Sequence, residues 1–266
     1  MKVLFFGDIV GKIGRKAVKE ILPQLKKELK PDLVIANVEN IAHGSGVTQK
    51  TLSSIEDIGI DLFTSGNHIW KKSQQIEQLL EDKDTKLIRP ANYLEKLPGS
   101  GSKIVKIKKK KVLVINLVGQ VFMHEEFDNP FKVLDKILLS YKKQKPDITL
   151  VDFHAEATSE KNALGWHADG RVSAVIGTHT HVPTADAKIL PQGTGYISDV
   201  GMVGAKDSVI GQGTKEVLEG FLKDSKFKFA IDETGICQIN SVFLTIDTKT
   251  KKTKKIQRVD KEIEIC

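Results

Sequence analysis

The chain has 266 residues, of which 40% are hydrophobic and 28% charged, with a formal net charge of +7. That length suffices for one large α/β core without staples, and no apolar run approaches the roughly 18–20 residues that a membrane-spanning helix needs. Two distant cysteines, Cys237 and Cys266, supply neither a disulfide framework nor a thiolate metal site.

The first apolar stretch, Val3–Gly7, is interrupted by Asp8 and lacks a small-residue cleavage site after it. It is therefore a buried strand rather than a secretory leader, and the protein is expected in the cytoplasm. A helix follows over Gly14–Leu29, with Ile21 and Leu25 on one face. Pro31 breaks the chain, Asp32–Val38 is a second strand, and Thr48 caps a helix through Ile58. Asp61–Thr64 is a third strand and Ser73–Glu81 a third helix. This βαβαβ opening predicts a parallel sheet covered on both faces. After the turn-rich Pro98–Ser102, Lys103–Lys109 and Val112–Leu117 form consecutive antiparallel strands, followed by a helix over Pro130–Lys143. Ile148–Phe153 and Val172–Gly177 are buried strands. The remainder offers a helix at Thr214–Leu222 and a final strand pair, Ile236–Thr248 and Lys255–Ile263. With no repeat, linker or boundary, residues 1–266 are read as a single two-sheet domain flanked by helices.

Lysine excess concentrates in two runs, Lys106 to Lys111 and Lys249 to Lys255, and neither is interleaved with aromatic residues. They are read as solvated strands and turns rather than a nucleic-acid groove, although a positive field draws anionic substrates inward.

The chemistry lies at the strand ends. They give Gly7-Asp8, Val38-Glu39-Asn40, Gly66-Asn67-His68, Phe153-His154 and Gly177-Thr178-His179-Thr180-His181. Ligands of open α/β sheets bind outside the carboxyl ends of strands, so four of the seven histidines converge with carboxylate and amide groups. Such oxygen and imidazole donors suit Mn, Fe or Zn ions. A carboxylate with two oxygens, Glu39, can bridge two ions about 3.5–4 Å apart, and such a pair acidifies a bridging water and clamps phosphoryl oxygens. His68 is placed to protonate a leaving oxygen. In an extended segment His179 and His181 point to the same side, one towards each ion. Competing motifs fail: Gly7, Gly11 and Gly14 miss the dinucleotide spacing, Gly11-Lys12 lacks the rest of a phosphate-binding loop, and His154-Ala155-Glu156 lacks the downstream cysteines of a zinc deaminase.

These residues resemble the calcineurin-like metallophosphoesterases. The usual Asp-x-His of the first strand is absent, because position 10 is Val10, and the bridging acid is Glu39. Both departures, with the strings from Asp152 to Glu160, Asp169 to Asp186 and Tyr196 to Met202, resemble the YmdB-like bacterial phosphodiesterase branch over essentially the whole chain. The resemblance implies a four-layer α/β/β/α sandwich and hydrolysis of small phosphodiesters, with 2′,3′- or 3′,5′-cyclic nucleotides as candidates. It implies one metal on Asp8, Glu39, Asn40 and His181, and another on Glu39, Asn67, His154 and His179. His68 would be the catalytic histidine, and the two ions divalent or mixed-valence Fe or Mn, with Zn also compatible. Asn40 stands in for the missing histidine, which requires the second strand to end before it.

Around this set, Glu156 and Asp199 are expected to orient ligand imidazoles, and Arg171 to touch substrate phosphate or pair with Asp169. Gly44-Ser45-Gly46 is read as a phosphate-facing turn or an ordinary loop. Trp166 is read as core or as a pocket-lining residue in a loop after His154, and His43, His124 and His167 as surface histidines. Two other functions compete: a phosphomonoesterase on the same site, and a regulatory nucleotide- or RNA-binding protein with little turnover, which the basic runs motivate. A link to RNA and homo-oligomerisation are left open as partners.

Overall fold

A computed structural model, describing residues 1–93, 97–223 and 230–266, places two mixed sheets face to face with helices on their outer faces. The chain opens with β1 (Lys2–Ile9), α1 (Gly11–Leu29), β2 (Leu33–Asn37), α2 (Gln49–Glu56), β3 (Leu62–Thr64) and α3 (Ser73–Glu81). As the alternation predicts, β1, β2 and β3 run parallel. Thr48 caps α2 reciprocally: its hydroxyl accepts from Thr51 N at 3.2 Å, and its own N–H donates to Thr51 Oγ1 at 3.0 Å. At the other end of α1, Lys30 turns left-handed at φ 50° and closes the helix on Lys26 O, just before Pro31.

The second sheet begins with the expected hairpin, β4 (Ser102–Ile107) and β5 (Lys110–Val118). It continues through α4 (Pro130–Ser140), β6 (Ile148–His154), α5 (Thr158–Ala168), β7 (Ala174–Thr178), β8 (Lys188–Ile189) and β9 (Gly195–Ile197). Here β5, β6, β7 and β9 are parallel. The chain then returns to the first sheet with β10 (Met202–Ala205), α6 (Thr214–Leu222), β11 (Gly235–Ile239), β12 (Ser241–Ile246), β13 (Thr253–Arg258) and β14 (Lys261–Ile265).

Side chains alternate along β1, so Leu4 and Phe6 face one way and Val3 and Phe5 the other, and all four are buried. Leu4 and Phe6 pack with Ile13, Ala17 and Leu25 of α1, Leu52 of α2 and Ile76 of α3. Val3 and Phe5 join the layer between the sheets with Leu33, Val114, Ile148 and Ile176. On the far side Leu113, Val151 and Phe153 meet Leu134 of α4 and Leu164 of α5. This is the α/β/β/α order that the family resemblance implies. Among the described residues no helix is long and apolar enough to cross a membrane.

Three expectations need correction. α5 occupies the segment after His154 that reads as loop, because its buried residues include Glu160 and Lys161 beside Leu164 and Ala168, and no apolar stripe marks it. The expected strand Ile236–Thr248 is two strands, split at Asn240. There the first sheet forks: β1 pairs with β12 up to Phe6 and with β10 from Asp8 onward. Asn240 holds the fork, accepting from Gly7 N through its carbonyl and from Met202 N through Oδ1, each at 3.1 Å. A Cβ at Gly7 would collide with the carbonyl of Gly201. Likewise the last expected strand is β13 and β14, paired with β12 and β11 respectively. Both lysine runs are solvent-facing at most positions, with Lys108 on Asp32 at 2.6 Å and Lys110 on Asp147 at 3.0 Å.

Candidate active site

The carboxyl ends of β1, β2, β3, β6 and β7 meet along one rim. β1 delivers Asp8. β2 stops at Asn37, so Val38, Glu39 and Asn40 follow in a turn that frees the last two from strand alternation. Asn37 Oδ1 fixes this turn by accepting from Glu39 N at 3.1 Å. After β3 comes Gly66-Asn67-His68, opening a short 3-10 helix. β6 ends on His154, and His179 follows β7.

Glu39 is central and buried. Its Oε2 accepts from His68 N at 3.1 Å and lies 3.1 Å from His154 Nε2, while Oε1 accepts from Asn40 Nδ2 at 3.1 Å. Donor atoms of Glu39, His154 and His179 lie within 4.8 Å of one another. His154 Nε2 and His179 Nδ1 face each other at 3.0 Å. Asp8 accepts from His179 N through Oδ2 at 3.1 Å. Among the described residues its Oδ1 has no hydrogen-bond partner, and neither does Asn67 Oδ1. Two buried oxygens left unpaired, each costing about 1–3 kcal/mol, beside three converging donors, fit a cation held among them.

Hydrogen bonds behind the donors fix which atom each presents. The Thr178 hydroxyl donates to Asp152 Oδ1 at 2.8 Å, so it accepts from His154 Nδ1 at 2.9 Å, and His154 presents Nε2. Asn37 Nδ2 supports Asp152 from behind at 3.0 Å. His179 pairs through Nε2 with Glu156 at 3.0 Å and presents Nδ1. His181 donates from Nδ1 to the Ile210 carbonyl at 2.8 Å, so its bare Nε2 accepts from Asn40 Nδ2 at 3.1 Å. Because the Glu39 carboxylate only accepts, Asn40 turns its nitrogen there and offers Oδ1 to His68 Nδ1 at 2.8 Å. Ligand imidazoles oriented in this way from behind recur at metal sites.

Charge is unevenly held. Burial would raise Glu39, but His154, His68 and His179 outweigh it and hold the carboxyl well below its usual range. Burial raises Asp8 against the pull of His154 and His181. Burial disfavours a charged His154, yet Glu39, Asp8 and Asp152 push it up to about 9. Burial, then His154, lowers His179 to about 3, so it is a neutral imidazole at physiological pH. A proton on His154 offsets part of the carboxylate charge, and a divalent cation among the same atoms would offset more.

The structure thus brings together Asp8, Glu39, Asn40, Asn67, His68, His154, His179 and His181. The segment carrying His179 and His181 is not extended, however: both have positive φ, 104° and 64°, so they reach different neighbours by backbone turning rather than by strand alternation. Glu156 orients His179 as expected. Asp199 does not touch an imidazole; it accepts from Thr180 N at 3.0 Å and from the buried Lys161 at 2.6 Å, steadying the backbone between the two histidines. Arg171 pairs with Asp135 instead of Asp169, which accepts from Gln192 N and Thr194 N. Gly44 N and Ser45 N donate internally to Asn40 O and Ala42 O, so neither faces a phosphate. Trp166 lies on α5 and is 57% exposed, so it is neither core nor a loop residue lining the pocket. His43 and His124 are exposed, and His167 meets Asp135 at the surface.

Sequence reasoning missed Thr178 as a link, and also Asp152, Asn37 and Lys161. One signal was present for Asp152: a carboxylate in an apolar strand, two residues before His154 and therefore on the same face. A cavity of ≈ 340 Å³ opens on Glu39, His68, His179 and His181, and its other wall includes Val209, Ile210, Val217 and Phe221. Nothing in the sequence pattern marks that wall.

Known proteins resemble the chain over nearly its whole length. The chain is 46% identical over 259 residues to the 2′,3′-cyclic-nucleotide 2′-phosphodiesterase of Bacillus subtilis (strain 168), covering 97% of this chain and 96% of that one. The crystal structure of a phosphatase from Mycoplasma pneumoniae superposes with a TM-score of 0.91 at 39% identity, over 100% of this chain and 94% of that one. A 5′-nucleotidase precursor from Thermus thermophilus matches at TM-score 0.57 and 11% identity, over 99% of this chain and 54% of that one, a likeness of fold alone. The sequence profile described as YmdB-like protein matches residues 4–259, and the chain belongs to that family.

Proposed function

We propose that this chain is a metal-dependent phosphodiesterase acting on small anionic phosphodiesters, with cyclic nucleotides as the substrate class and residues 1–266 as one catalytic unit. The observation that carries the reading is the convergence of Glu39, His154 and His179 with Asp8 and Asn67 from five strand ends, with one buried oxygen of Asp8 and one of Asn67 unpartnered among the described residues. The activity named for the Bacillus subtilis relative supports it.

Asp8, Glu39, Asn40 and His181 would hold one divalent cation, and Glu39, Asn67, His154 and His179 the other. Asn40 Oδ1 has a second lone pair beyond the one that His68 engages. When bound, the pair supplies Lewis-acid charge for phosphoryl oxygens and acidifies water. Oxygen and imidazole donors without thiolates favour Mn or Fe, with Zn compatible. His68 acts as general acid: Asn40 Oδ1 holds its Nδ1–H, so Nε2 is the nitrogen that gives its proton to the leaving oxygen. Glu39 Oε1 lies 3.3 Å from the same Nδ1, so the ring is held from one side and Nε2 is left to face the site. The unpaired cysteines, Cys237 and Cys266, fit a reducing cytoplasm.

The test is hydrolysis of bis-p-nitrophenyl phosphate by manganese-loaded protein, beside Glu39→Gln. Loss of the shared carboxylate should lower the rate on the order of 10³-fold or more. Protein that binds two ions per chain and hydrolyses no phosphodiester would sink the reading. A phosphomonoesterase on the same site is the second reading, favoured by the phosphatase description of the Mycoplasma relative. Relative rates on mono- and diester p-nitrophenyl substrates separate the two.

A further inference from the structure

The apolar wall beside the histidines is built at a conformational cost. Val209 N donates to Gln212 O at 2.8 Å and Gln212 N to Val209 O at 2.9 Å, closing a two-residue turn. Its central residues, Ile210 and Gly211, both have positive φ, 48° and 94°. A tight turn with two such residues favours Asn-Gly or Asp-Gly, and a β-branched residue at positive φ is an outlier. Ile210 nevertheless occupies that position, 51% exposed, and lines the cavity. Its carbonyl holds His181, a task that any residue could perform. Neither turn geometry nor core packing therefore explains the isoleucine side chain, whereas an apolar ligand in the cavity does.

Two further observations say what kind of ligand. Val209, Val217 and Phe221 line the same cavity, so a flat apolar group would meet aliphatic and aromatic surface while the opposite end meets Glu39, His68 and the metal-facing imidazoles. Gln212 lines it too, and among the described residues its buried Oε1 has no hydrogen-bond partner. An amide in an apolar wall is the group that pairs with the edge of a base. The volume of ≈ 340 Å³ lies at the small end of the range for small-molecule sites, suited to a mononucleotide rather than a longer chain.

We propose that Val209, Ile210, Val217 and Phe221, with Gln212, form the nucleobase subsite of this enzyme, and that Ile210 sets its preference for nucleotides over base-free phosphodiesters. This rests on the phosphodiesterase reading of the adjoining metal-binding residues.

The test compares kcat/KM for 2′,3′-cyclic AMP with that for the five-membered cyclic phosphate of glycerol, which has the same reacting group and no base. The variant is Ile210→Asn, which supplies the residue that the turn prefers and should melt at or above the wild-type temperature. Wild type should favour the nucleotide at least about tenfold, and the variant should lose about tenfold of that preference, as expected for removing one apolar contact. An equal preference in both proteins, or none in wild type, overturns the subsite. If wild type hydrolyses neither compound, the phosphodiesterase reading fails and saturation-transfer NMR of AMP on zinc-loaded protein decides the subsite separately. Transfer from protein methyl groups to the base protons, weakened by Ile210→Asn, upholds it; absence of transfer to the base overturns it.

Discussion

His154 Nδ1 and the hydroxyl of Thr178 stand 2.9 Å apart, and the direction of that hydrogen bond decides which face of the imidazole chemistry can use. Thr178 has one proton and gives it to Asp152, so it can only accept from His154. The ring therefore turns Nε2 towards Glu39 and His179.

Thr178→Val should break this chain while conserving shape. His154 Nδ1 loses its acceptor and the ring its preferred tautomer, a kind of change that typically costs about 10–100-fold in metal affinity. Metal titration under chelator competition checks this. Affinity equal to wild type would mean that the hydroxyl does not set the tautomer.

Gly66 permits the close approach of β3 to the donors. A Cβ there would collide with Glu39 Oε2 and His154 Nε2, which are the atoms that face the site. Gly66→Ala should leave secondary structure by circular dichroism near wild type and reduce bound metal per chain. An alanine variant with full metal content would show that both side chains can retreat without loss.

Lys161 and Asp199 form an ion pair whose side chains are 3% and 1% exposed. Lys161→Met leaves Asp199 buried without its cation, a change that costs about 3–5 kcal/mol when one partner of a buried pair is removed. Urea unfolding at neutral pH measures the loss. Because Asp199 also holds Thr180 N, metal affinity should fall alongside stability.

Chelator-treated protein should lose stability between about pH 6.5 and 9. His154 is raised from 6.5 to about 9 by Glu39, Asp8 and Asp152 against its burial. Its contribution is full below 6.5 and is lost as pH rises through 9. Asp152, raised from 3.8 to about 7 chiefly by burial, acts in the same direction, its contribution lost as pH rises through 7. Glu39 is depressed, so its contribution is present above its ordinary 4.5 and is lost only in acid. Melting temperatures at both ends of the window test the sign, and a rise with pH would contradict it.

The residue types at the strand ends were legible without any structure. Asp8, Glu39, Asn67, His68, His154 and His179 follow directly from buried apolar runs, because a polar residue closing such a run must leave the core at the sheet rim. So were local events governed by neighbouring residues: the Thr48 cap, the α3 bounds Ser73–Glu81, and the β4–β5 hairpin.

Packing between distant segments settled the rest, and separation along the chain is the physical reason. Asn37 reaches Asp152 across 115 residues, and the fork that aims Asp8 depends on Asn240 meeting Gly7. α5 carries a buried lysine that is stable there only because Asp199 comes from another part of the chain. The left-handed backbone at His179 and His181, and the turn that holds Ile210 against the site, are likewise set by packing. Hydrophobic periodicity reports which side of an element is buried. It carries no information on which partner waits there, and at this site the partner decides which atom each side chain presents.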